Sequence, residues 1–106
     1  MIIYDTETTQ QAIKFFENNI ELLGKIRSIE HKRKLSETGY ETIFTGTDET
    51  MTIIGGLSSG YSGEGSNGLV HVLKKLGVDE GKAETLVMDN KANKKGFKHT
   101  FIVGLD

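Results

Sequence analysis

Tyr40-Glu41-Thr42-Ile43-Phe44-Thr45, then Gly46-Thr47-Asp48-Glu49, then Met51-Thr52-Ile53-Ile54 carries the clearest structural signal in the chain. The two flanks are rich in β-branched and aromatic side chains, which suit a pleated, half-buried surface. The four residues between them are turn formers, so the segment reads as a hairpin. Upstream, Lys25 to Leu35 is ambiguous. It either continues a preceding helix, with Ile26 and Ile29 on the buried side, or forms a polar edge strand feeding the turn Ser36-Glu37-Thr38-Gly39. The strand is favoured, because it completes a three-stranded antiparallel meander and its lysines discourage edge-to-edge pairing.

Before this meander, Ile2 to Tyr4 reads as a short strand. A helix is expected from about Thr8 to Leu23, since Thr8 and Gln11 have capping-box spacing. Ile13, Phe16, Ile20 and Leu23 share one face of it, and Gly24 is placed to end it in a left-handed conformation. After the meander, a second, shorter helix is marked by Leu69, Val72, Leu73 and Leu76, with Lys74 and Lys75 near its C-terminus and Gly77 as its stop. Asp79 to Lys82 reads as a turn. Ala83 to Asp89 and Phe97 to Val103 are expected to form a final strand pair joined by the basic loop Asn90 to Gly96, with a helix over Asp79 to Met88 as the competing reading. The fold class is therefore α+β: a single domain over residues 1–106, a mostly antiparallel sheet with two helices packed on one face.

The composition narrows the function. The chain has 106 residues, no cysteine and no proline, and a net charge of -2. Without cysteine there are no disulfides or thiolate metal sites, and a reducing compartment is expected. No apolar run reaches the roughly 20 residues that span a bilayer, and no signal-peptide pattern opens the chain. A cytoplasmic location is the expectation, with no membrane partner. Lys25, Arg27, Lys32, Arg33 and Lys34 form one basic stretch, and Lys91, Lys94, Lys95 and Lys98 another. With an acidic balance and no reading helix, these read as solvated edges, and no nucleic-acid partner is expected.

The segment most suggestive of chemistry is Gly60-Tyr61-Ser62-Gly63-Glu64-Gly65-Ser66-Asn67-Gly68, running into a helix. Glycines allow a ligand to approach the backbone, and a helix N-terminus offers unpaired N–H groups and partial positive charge. Ser62, Ser66 and Asn67 add polar groups, Tyr61 is free to stack on a ring, and Ser66 or Asn67 would cap the helix. Gly63, Gly65 and Gly68 have the G-x-G-x-x-G spacing of a dinucleotide turn, with Asp89 near the place of a ribose-binding acid. The fit is poor: the motif lies too far past Ile54, and too few βα units follow to build a parallel sheet. A lysine-dependent phosphate loop is excluded because Leu69 follows Gly68.

His31, His71 and His99 fall on different elements without metal-ligand spacing, so no metal and no cofactor are assigned. His71 lies close to where an anion would sit. Glu64 is a candidate general base, but no second group completes a catalytic constellation, and a solvated loop carboxylate is the simpler reading. The leading expectation is a non-catalytic binding module that holds a small anionic or nucleotide-like ligand through Tyr61, Ser62, Gly63, Glu64, Gly65, Ser66, Asn67, Gly68 and His71. In size and style it is similar to sequestering accessory proteins of phages or mobile elements, an analogy of build alone. Two alternatives stay open: a protein-interaction module, an inhibitor or assembly subunit, acting through an edge strand or this loop, and a small enzyme using Glu64 and His71; a protein partner or homo-oligomer is left open as well.

Overall fold

The computed structural model describes residues 1–33, 40–59, 63–88 and 100–105. Five strands, β1 (Ile2–Asp5), β2 (Ile26–Arg33), β3 (Tyr40–Gly46), β4 (Thr50–Ile54) and β5 (Thr100–Gly104), form one sheet in the order β1-β4-β3-β2-β5. Among the described residues every pairing is antiparallel except β1 with β4. The helices are α1 (Thr9–Asn19), α2 (Glu64–Lys75) and α3 (Glu80–Met88). The α+β class and the predicted meander β2-β3-β4 both hold.

Register explains which side chains enter the core. Val103, Ile29, Phe44, Met51 and Ile2 lie opposite one another across the sheet, so period-two alternation puts them on one face. His31, Thr42, Ile53 and Tyr4 form the next row on that face. The helices bury against it. Phe16 meets Phe44 with ring centroids 5.4 Å apart, and Phe15 stacks on Tyr4 at 4.3 Å. Phe16, Leu23, Leu69, Val72 and Leu73 are buried, while Ile13, Ile20 and Leu76 pack around the rim. The opposite face carries Ile3, Ile43, Ile54, Glu30, Lys32 and Ile102, with Ile3 59% and Ile102 65% exposed.

Three differences from the sequence reading have physical causes. There are three α-helices among the described residues, not two: Ala83–Met88 is helical, and no strand forms there. The Asp79 carboxylate accepts from the Lys82 N–H at 3.2 Å, a helix-start contact, and Ala83 and Val87 at i, i+4 spacing are both buried. Next, α1 tightens into a 3₁₀ turn over Ile20–Leu23 before Gly24 ends it at φ +75°. There the hairpin loop grips it, with Asp48 N–H donating to Leu23 O and Thr47 N–H to Lys25 O, both at 2.9 Å. Finally, α2 begins at Glu64, absorbing Gly65 and Gly68 into its first turns.

Several expected features lie outside the described residues: the turn Ser36–Gly39, Tyr61 and Ser62, Asp89, the basic loop Asn90–Gly96 and His99. The predicted strand Phe97–Val103 is described only from Thr100, as β5.

Candidate functional site

Because β1 and β4 run parallel side by side, their C-terminal ends emerge together, and each leads toward a helix N-terminus. Thr6 N–H donates to Ile54 O at 2.9 Å, extending the pairing by one step. Beyond Ile54 the chain turns through Gly55 and Gly56, at φ +78° and +75°. A side chain at Gly56 would come within 2.7 Å of Ala12 Cβ and 2.8 Å of Thr8 O, so conformation and space both demand glycine. Thr9 Oγ1 donates to Gly56 O at 2.6 Å, fastening this turn onto the start of α1.

The loop is held on its other side as well. Gly55 N–H donates to Tyr40 O at 2.8 Å, and the Tyr40 hydroxyl donates to Ser59 O at 3.0 Å. Ser58 N–H donates to Gly65 O at 3.1 Å, and Ser58 Oγ lies 3.4 Å from Ser66 Oγ in a buried hydroxyl pair. Residues 55–59 are thus clamped between α1, β3 and α2. They bound a cleft of about 400 Å³ with Thr6, Thr9, Tyr40 and Ser58 in its wall and the carboxylate residues Asp5 and Glu7 at its side. Gly55, Gly56 and Gly65 bring backbone to the same cleft.

The two helix N-termini beside the cleft differ. Thr8 caps α1, its Oγ1 accepting from Gln11 N–H at 3.3 Å, while Thr6 Oγ1 accepts from Thr8 N–H at 3.2 Å and donates to Gln11 Oε1 at 2.9 Å. The predicted capping contact is present, but the Gln11 side chain turns to Thr6. In α2 the cap position is Gly63, with extended backbone and no side-chain cap among the described residues. Neither Ser66 nor Asn67 caps: Ser66 is buried toward Ser58, and Asn67 N–H donates to Gly63 O at 2.9 Å as the first intrahelical bond. Glu64 sits exposed in the first turn, where a carboxylate complements the helix dipole.

The predicted residues divide between two surfaces. Gly65 lines the cleft. Glu64, Asn67, Gly68 and His71 instead line a groove of about 430 Å³ between α1 and α2, with Gln10 and Ile13 opposite. Thr9 borders both. Gly68 serves close packing, since a Cβ there would collide with Thr9 Cγ2, and Gly65 is likewise closed in by Ser58 Oγ. Gly63, Gly65 and Gly68 therefore do not form a dinucleotide turn: two of the three are helical, and only one described strand pair in the sheet is parallel. No group of three or more His, Asp or Glu with metal-holding geometry occurs among the described residues, and no described helix is long and apolar enough to cross a membrane.

The sequence reading missed Asp5, Thr6, Glu7, Thr9, Tyr40 and Ser58. The Thr6–Thr9 run after a strand and the Gly55-Gly56 doublet were the available signals, but only the parallel pairing of β1 with β4 brings them together. Compared with protein-family models, curated proteins and solved structures, the chain has no significant match in any of the three.

Proposed function

We propose that this protein is a binding module that holds a small anionic or nucleotide-like ligand in the cleft at the C-terminal ends of β1 and β4. The observation that carries this reading is the N-terminus of α2, without a side-chain cap among the described residues, beside a cleft walled by hydroxyl-bearing residues and glycine backbone. First-turn N–H groups have no acceptor within their own helix and attract negative charge. A phosphate or carboxylate would dock against Gly65 and Ser66 N–H. The hydroxyls of Thr9, Tyr40 and Ser58 would meet neutral polar parts of the ligand. Pockets in small α/β folds commonly lie outside the carboxyl ends of parallel strands, which supports the same location.

Asp5 and Glu7 refine the expectation. Carboxylates beside the cleft oppose a bare, multiply charged anion but accept hydrogen bonds from sugar hydroxyls. The pair Asp5→Asn with Glu7→Gln should therefore tighten binding of inorganic phosphate and weaken binding of a ribonucleotide. Calorimetric titration of both ligands against wild type and this variant tests the reading, and heat from neither ligand at millimolar concentration would reject it.

A further inference from the structure

We propose that β5 is a dimerisation edge, pairing antiparallel with β5 of a second copy of this chain about a two-fold axis through Ile102. Among the described residues β5 is the outermost strand on its side of the sheet, bonded only to β2. Leu105 N–H donates to Arg27 O at 2.9 Å, and the register continues through Ile29↔Val103 and His31↔Phe101. Hydrogen-bonded pairs alternate in an antiparallel ladder. The odd-numbered residues thus spend their main-chain groups on β2, and the N–H and C=O groups of Thr100, Ile102 and Gly104 point to the outer edge. These three positions are symmetric about Ile102. A two-fold axis there sets Ile102 against its counterpart and Thr100 against Gly104, with every outward donor facing an outward acceptor.

The chemistry of the strand selects a second copy over a charged partner. Thr100-Phe101-Ile102-Val103-Gly104 has no charge and no proline, the usual protections of an edge strand. No like charges therefore face each other across the two-fold axis. A side chain built at Gly104 would meet nothing within 4 Å, so the sheet face beside this edge is uncrowded there. Ile102, 65% exposed, would be covered by its symmetry mate. The other edge, β1, is short and ends on the charge of Asp5. Pairing along one five-residue strand is small against the area of standard interfaces, so the dimer should be weak and concentration-dependent.

Sedimentation velocity from micromolar to millimolar protein, with amide hydrogen exchange at both ends of that range, tests this. Wild type should shift toward twice the monomer mass as concentration rises, with the amides of Thr100, Ile102 and Gly104 slowing in step. Ile102→Lys puts like charges together at the axis, and Gly104→Pro removes one outward donor where an edge strand tolerates proline. Each should raise the dimer dissociation constant at least about tenfold, or ~1.4 kcal/mol, while circular dichroism and melting stay near wild type. If one variant fails to fold, the other carries the test, and the exchange measurement on wild type stands without either. A monomer throughout the range overturns the proposal. So does a dimer whose Thr100, Ile102 and Gly104 amides exchange as fast as in the monomer, which would place the contact elsewhere.

Discussion

The N-termini of α1 and α2 follow neighbouring strands, yet one is closed by side chains and the other has no side-chain cap among the described residues. At α1, Thr6, Thr8 and Gln11 bond to one another and to the first turn. At α2, Gly63 supplies no side chain, and the Ser66 hydroxyl in the first turn is directed inward to Ser58. Replacing a hydroxyl or carboxylate cap by alanine costs about 1 kcal/mol, whereas glycine at the cap position costs only a few tenths. Set side by side, the two ends separate two uses of glycine: Gly56, Gly65 and Gly68 allow close packing, and Gly63 occupies the cap position without a side chain.

The largest effect should come from the packing glycines. Gly56→Val forces a β-branched residue to positive φ against Ala12 and Thr8, and should cost roughly 2–5 kcal/mol in denaturant unfolding. A near-neutral result would mean that the turn is not clamped onto α1. Gly65→Val should cost roughly 1–3 kcal/mol, because its side chain runs into Ser58. It is consequently not a clean probe of binding, contrary to what a glycine reserved for ligand approach would predict. If Gly65→Val unfolds like wild type, the Ser58 contact is not a tight one.

At the closed end, Thr8→Ala should lose about 1 kcal/mol, read as a lower urea midpoint at unchanged slope. Smallest of all is Gly63→Asp. Extended backbone at this position accepts any residue, so adding a cap there should stabilise the free protein by only a few tenths of a kcal/mol. Equal and opposite changes at the two ends would erase the distinction between them.

Much of this fold was legible in the sequence, and the reasons are local. Thr8 announced α1, Gly77 stopped α2, and the turn residues Gly46–Glu49 joined two strands. Leu86-Val87-Met88 misled because a short apolar run suits strand or helix alike; the Asp79 cap decided for helix. Residues 64–68 misled for a different reason. Glycine is a poor helix former, but Gly65 and Gly68 are held in α2 by contacts with Ser58 and Thr9, which lie outside the helix. Of the glycine-rich segment, Gly65 lines the candidate cleft, while Glu64, Asn67, Gly68 and His71 line the separate groove. Asp5, Thr6 and Tyr40 were invisible, because their approach depends on the β1–β4 pairing, and no local pattern encodes a parallel contact between strands so far apart in the chain.

Whether the N-terminus of α2 takes part in holding a ligand can be read by thermal shift. Wild type and Gly63→Asp would be melted with inorganic phosphate and a ribonucleotide panel. The carboxylate introduced by Gly63→Asp would accept from the first-turn N–H groups and repel an anion. A ligand at about one hundred times its dissociation constant adds about 2.7 kcal/mol, a shift of several degrees in a domain this size. The expected result is such a shift in wild type and its loss in Gly63→Asp, whose unliganded melting temperature is unchanged or slightly higher. No shift in wild type with any ligand, or an equal shift in both proteins, would contradict a ligand-binding role for the N-terminus of α2.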